Sequence, residues 1–158
     1  MFEKCYCQQI DPDEWHERFQ TWENPRFFYR FPTRLLLHNP ITYNTDVSLG
    51  MMEAKSKGYL PKPNPLLLLR SGIFRGEVLI EISPPRDGNW SKCLRLQGSF
   101  YSYISNAPFT RMGSVIEEIA RHLQKEKKRA EEFYLCPLTC PLCAGTKGYS
   151  TAILAHIK

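Results

Sequence analysis

Glu77-Val-Leu-Ile-Glu-Ile82 is the stretch on which the fold turns. Val78, Ile80 and Ile82 alternate with Glu77, Leu79 and Glu81, the period of two with which side chains leave a β-strand on opposite faces. One face is aliphatic and needs a core. The other sets a leucine between two carboxylates and reads as a sheet face turned to solvent. A second strand over 65–71, containing Leu66-Leu-Leu-Leu69, precedes it, and the link at 71–76 carries glycines at both ends, Gly72 and Gly76.

Outward from this pair, Pro61-Lys-Pro-Asn-Pro65 excludes helix and sheet interior and reads as an extended connector. Before it, Asp46 caps a helix running to about Lys57, with Val47, Met51 and Ala54 at helical spacing and Gly58 as the stop. Residues 26–38, aromatic and aliphatic with Pro32 marking a bulge or edge, form a strand. At the start, Asp11, Pro12 and Glu14 open a helix over 11–23 that aligns Trp15, Phe19 and Trp22 on one face.

Downstream, a long strand over 92–105 places Leu94, Leu96, Phe100 and Ile104 on one side and Cys93, Arg95, Gln97, Tyr101 and Tyr103 on the other. Ser114 and Glu117 make a capping box for a helix striped by Val115, Ile119 and Leu123. Short strands follow at 132–135 and 149–157. Residues 26–83 and 92–157 thus repeat the order strand, helix, strand, strand. This predicts an α+β protein of duplicated βαββ units whose halves meet at a central seam, a natural ligand cleft. Residues 1–25 form an N-terminal extension with a short helix, and 26–158 the folded domain.

Composition narrows the function. The chain has 158 residues, 42% of them hydrophobic, and a net charge of +5. No apolar run approaches the ~20 residues of a membrane span. The first residues lack the basic and apolar regions of a secretory signal, which points to the cytoplasm. A charge of this size fits nucleic-acid binding only weakly, is ordinary for solubility and does not decide the partner; the basic run Lys125-Glu-Lys-Lys-Arg129 is followed at once by Glu131 and Glu132 and reads as a solvated helix end, so nucleic acid is not the expected partner. The oligomeric state is open.

The six cysteines are the sharpest local signal. Cys5 and Cys7 form C-x-C, Cys93 stands alone as a small sheet residue, and Cys136, Cys140 and Cys143 form C-x3-C-x2-C. Cys-Pro-Leu-Cys at 140–143 has the spacing of a zinc knuckle, and Cys5 or Cys7 can complete a site with Cys136, Cys140 and Cys143 if the chain ends meet. Zinc, an iron–sulfur cluster and a metal-free thiol loop all remain open. With only 15 residues after Cys143, a radical S-adenosylmethionine enzyme is excluded.

Several segments together resemble one known family: Phe31-Pro-Thr-Arg-Leu-Leu-Leu37, the two strands around Glu77, Gln97-Gly-Ser-Phe-Tyr-Ser-Tyr-Ile104, Glu132-Phe-Tyr-Leu135 and Ser150-Thr-Ala-Ile-Leu-Ala-His-Ile-Lys158. In that order they are similar to the GyrI-like small-molecule-binding domains found as effector domains of MerR-type and AraC-type multidrug regulators. The resemblance implies a βαββ pair with pseudo-two-fold symmetry whose central cleft takes a hydrophobic or cationic aromatic ligand, with Glu132 as its central acid, Tyr134 as companion, and ring surface from Tyr101 and Tyr103. The residues themselves also allow Glu132 to be a solvated charge, the tyrosines to be sheet cover, and Glu77 and Glu81 to face solvent. No helix pair for reading DNA precedes the repeat. Three functions follow: a stand-alone effector- or drug-binding domain, favoured over catalysis because no histidine or serine stands in a recognisable constellation; a hydrolase of a small hydrophobic compound; and a metal-stapled protein or nucleic-acid interaction module.

Overall fold

In the computed structural model, which describes residues 4–36, 39–71, 75–86 and 90–158, the strand around Glu77 is buried on both faces. Val78, Ile80 and Ile82 are at most 1% exposed, and on the opposite face Leu79 is fully buried and Glu81 only 3% exposed. The sheet closes on itself and turns the Leu79 and Glu81 face inward, while helices cover the Val78, Ile80 and Ile82 face.

The strands are β1 (Arg18–Leu36), β2 (Asn39–Pro40), β3 (Leu67–Ser71), β4 (Arg75–Ile82), β5 (Cys93–Ser105), β6 (Ala130–Pro137) and β7 (Thr151–Ile157). Hydrogen bonding runs β1-β4-β3-β6-β7-β5 and returns from β5 to β1, with every pairing antiparallel and β2 attached outside to β1. Closure removes the sheet edges that would otherwise be left unpaired. β1 makes it possible by serving two neighbours. Its first part, from Arg18, pairs with β5 and its second, to Arg34, with β4, with a register shift between Trp22 and Arg26 where Asn24-Pro25 interrupts the ladder.

This corrects the expected α+β pair of βαββ units around a cleft. The order strand, helix, strand, strand does occur twice, but the halves join along both edges, at β3–β6 and β1–β5, into one six-stranded barrel with an extra strand and few helices. The seam between halves is a filled lumen: Phe28, Leu68, Leu79, Phe100 and Leu154 are completely buried in it. β1 runs unbroken through residues 25 and 26.

Helices cover the outer face. α2 (Tyr43–Ser56) packs Tyr43, Val47 and Ala54, and α3 (Met112–Lys125) packs Met112, Ile119 and Leu123, against the second core cluster, which includes Tyr29, Ile80 and Ile153. Asp46 is not a cap: it sits inside α2 and accepts from the hydroxyls of Thr33 and Thr42, both at 2.6 Å. Likewise Ser114 lies within α3, which begins at Met112. The helix expected over 11–23 is confined to α1 (Pro12–Trp15), capped by Asp11 and ended by Glu17 at φ 54°, after which Phe19 and Trp22 belong to β1. Trp22 turns into the lumen onto Phe100 (centroids 4.4 Å), and Phe19 outward onto Tyr101 (5.0 Å). Among the described residues no helix is long and apolar enough to cross a membrane. The glycine at 72 expected in the β3–β4 link lies outside the described residues.

Candidate functional site

Residues opposite one another across an antiparallel ladder share a face. The register therefore sorts every strand residue into lumen or exterior. Glu132 and Tyr134 fall in the lumen, opposite His156 and Leu154 of β7. Tyr101 and Tyr103 oppose Ala155 and Ile153 on the exterior. There Tyr101 is buried beneath His122 of α3 (5.4 Å), and Tyr103 packs on His16 (4.7 Å). The four residues expected to surround one ligand thus lie on two sides of the barrel wall.

Glu132 and Tyr134 have other neighbours instead. At the same mouth, Arg30 pairs with Glu77 through two bonds, 2.8 and 3.2 Å, so Glu77 is a paired, part-buried carboxylate and not a free charge on a solvent face. Arg70 bridges from Glu77 (3.4 Å) to the Tyr134 hydroxyl, to which its Nη2 donates at 3.2 Å. Arg70 Nε is buried without a hydrogen-bond partner among the described residues. Burial alone would lower the Arg70 pKa, but the Tyr134 hydroxyl and the carboxylates of Glu132 and Glu77 more than reverse this, and the guanidinium stays charged. Burial pushes the Tyr134 phenol up, although Arg70 pulls the other way, so Tyr134 remains a neutral donor at physiological pH. His156 completes the mouth, stacked on Phe100 (4.5 Å, 15°) with Nε2 3.0 Å from the Gln97 carbonyl oxygen.

Arg30, Arg70, Glu77 and His156 are absent from the sequence-derived site. A signal existed for Arg70, which shares the parity of Leu66 and Leu68 and so must enter whatever those leucines enter.

The opposite mouth is closed by the N-terminal segment. Ile10 and Trp15 pack against the lumen cluster, and the Gln8 side chain pairs with both the N–H and the C=O of Leu67 (3.2 and 3.0 Å). A cavity of about 1090 Å³ lies here, lined by Lys4, Trp15, Arg26, Lys62 and Glu81 among others. Its single carboxylate is fully occupied. Glu81 accepts from Arg26 (2.9 Å), Lys62 (3.2 Å) and the Leu66 amide (3.1 Å). Burial works to raise its pKa, but these three partners outweigh burial and hold it below the usual range. A carboxylate so committed is a poor base, so this cavity is not where acid–base chemistry converges.

The chain ends do meet. Cys5 and Cys7 of the N-terminal segment stand against Cys140 and Cys143 at the start of α4 (Pro141–Lys147). Sulfur separations are 3.4 Å (Cys5–Cys143), 3.7 Å (Cys7–Cys140) and 3.9 Å (Cys5–Cys140), and all four sulfurs lie within 4.8 Å of one another. A tetrahedron of thiolates about 2.3 Å from one ion has edges of about 3.8 Å. These four cysteines could therefore hold a metal ion. Second-sphere donors are in place: the Cys140 amide donates to Cys7 Sγ (3.4 Å), and hydrogen bonds led by the Asn44 side chain hold the Cys140 thiol low against the effect of burial. Cys136 is apart from the group. It points into the lumen, fully buried, where desolvation pushes its thiol up to about 12 and leaves it a small apolar filler.

Over residues 2–157 the chain matches the model of a family described as "Bacterial hydrolase". A crystal structure of a hydrolase from Listeria innocua shares the fold with a TM-score of 0.59 at 12% identity, over 92% of this chain and 94% of that one. A structure of a hydrolase encoded by lin2189 of the same organism does so with a TM-score of 0.57 at 11% identity, over 91% and 93%. No curated protein matches the sequence. The family match overturns the GyrI-like resemblance, and with it multidrug binding and transcription regulation lose their support.

Proposed function

The chain belongs to the bacterial hydrolase family, and we propose that it hydrolyses a small hydrophobic compound at the barrel mouth formed by Arg30, Arg70, Glu77, Glu132 and Tyr134. The observation that carries this reading is Arg70, a charged guanidinium whose Nη2 holds the Tyr134 hydroxyl while its buried Nε has no hydrogen-bond partner among the described residues, on the same face as Glu132. Glu132 is the one carboxylate of this mouth that no arginine pairs with at salt-bridge distance among the described residues. It is placed to draw a proton from water. Tyr134 and Arg70 present donors to an oxygen that gains negative charge, and the packed apolar lumen beneath them keeps the local dielectric low. Two arginines offset two carboxylates, so the mouth favours no cationic substrate.

The four-cysteine centre supports a separate, structural role for zinc. Four thiolates complete a tetrahedron and leave no position for water, the pattern of a structural and not a hydrolytic ion. Separations below 4.8 Å suit one ion better than a multi-iron cluster, whose ligands spread over several metals. Cys5 and Cys7 would bind it with Cys140 and Cys143, joining the plug of one mouth to α4.

p-Nitrophenyl acetate is the first probe. The wild-type protein turns it over, and Glu132→Gln lowers kcat/KM by about 100-fold, within the range of a lost general base. Equal rates for the two proteins would refute the site.

A further inference from the structure

We propose that His156 is the proton carrier of this mouth, passing to the leaving group the proton that Glu132 takes from water; this rests on the hydrolytic reading above. His156 is the penultimate residue of β7, on the lumen face, in register with Glu132 of β6 on one side and Phe100 of β5 on the other. Its Nε2 lies 3.0 Å from the carbonyl oxygen of Gln97. A carbonyl only accepts, so Nε2 carries the hydrogen and the neutral ring presents its lone pair at Nδ1. Stacking on Phe100 holds the ring plane.

The backbone around the ring is irregular in a way that serves this placement. Gly98 has φ +113°, a conformation L side chains rarely adopt, and a Cβ there would stand 3.5 Å from His156 Nε2. Gly98 also opposes Trp22, where the β1–β5 ladder shifts register. A second shift, between Ala130 and Glu132, interrupts the β6–β7 ladder on the other side of His156. Bulges re-aim side chains and gather next to active sites. Both register shifts among the described strands flank this one histidine.

The proton balance closes. Water gives one proton to the Glu132 carboxylate as its oxygen bonds to the acyl carbon of an ester. That proton moves to His156 Nδ1, and the imidazolium keeps its Nε2–H bond to Gln97. When the bond from acyl carbon to leaving oxygen breaks, Nδ1–H protonates the departing alkoxide, and both side chains return to their starting forms. A p-nitrophenolate leaves without a proton, whereas an alkoxide does not.

Two esters separate the roles. His156→Gln lowers kcat/KM about 100-fold on phenethyl acetate and less than roughly 10-fold on p-nitrophenyl acetate, the difference a lost general acid makes. Equal losses on both esters overturn the carrier role, because a merely structural defect does not sense the leaving group. A wild-type protein inactive on both esters is a failure of the hydrolytic reading itself. The histidine is then judged by ¹⁵N NMR of the wild-type protein: the neutral ring protonated at Nε2 supports the placement, and protonation at Nδ1 overturns it.

Discussion

Removing the zinc proposed for the four-cysteine site should loosen one end of the barrel by an amount the chain length sets. Cys7 and Cys140 are 133 residues apart, and their link through a shared ion restrains the unfolded chain much as a disulfide would. The loop-entropy relation gives about 5 kcal/mol at 25 °C for a loop of this length. That is an upper figure, because Gln8, Tyr6 and Asn44 still tie the segment down, through Leu67, Ser48 and the Lys4 carbonyl respectively. For a chain of this size about 5 kcal/mol corresponds to a fall in Tm of about 10–20 °C. The assay is thermal unfolding by circular dichroism of zinc-loaded protein before and after chelation under reducing conditions, with released zinc titrated colorimetrically. Cys143→Ser should reproduce the loss, and Cys136→Ser should leave the zinc stoichiometry at one per chain. A Tm that moves less than about 2 °C when the zinc leaves, or a stoichiometry that depends on Cys136, would refute the reasoning.

Glu81→Ala should cost about 3 kcal/mol in urea unfolding: it strands the Leu66 amide and parts a buried ion pair, and the value stays at the low end because Arg26 and Lys62, 35% and 43% exposed, can turn to water. The pKa of Glu81 is depressed in the folded state, so its contribution is fully present above the unfolded glutamate value of about 4.3 and is lost as the pH falls through the lower folded value. The acid limb of the stability profile should therefore flatten in the alanine variant. Gly76→Ala should destabilise by more than about 2 kcal/mol with an unchanged denaturant slope, since its Cβ would clash with the Arg70 carbonyl oxygen across the β3–β4 ladder; a midpoint equal to wild type would refute the packing there.

A period of two says which residues share a face and nothing of what covers it. Glu77, Leu79 and Glu81 alternate in the same way whether that face meets water or a closed lumen, so the strand was legible and the barrel was not. Closure depends on β1 pairing with both β4 and β5, a long-range fact with no local mark beyond Asn24-Pro25 at the shift. Trp15, Phe19 and Trp22 fit a helical spacing by coincidence, and the left-handed turn at Glu17 that breaks it falls on a residue with no special propensity for it. Parity also separates Glu132 and Tyr134 from Tyr101 and Tyr103 once the pairing is known. The meeting of Cys5 and Cys7 with Cys140 and Cys143 was legible because thiolate pairs at short spacing have few other uses in a reduced chain. Cys136 misleads: it sits near those ligands in sequence, yet β6 carries it into the lumen.

On the proposed function the barrel mouth does the chemistry and zinc on the four cysteines only holds the chain, and one comparison tests that separation most directly. kcat/KM for p-nitrophenyl acetate is measured side by side for zinc-loaded wild type, cadmium-substituted wild type and zinc-loaded Glu132→Gln. Zinc and cadmium forms should agree within about 2-fold, because a closed thiolate site activates no water, while Glu132→Gln should fall about 100-fold. A rate that follows the metal and ignores Glu132 would contradict the account.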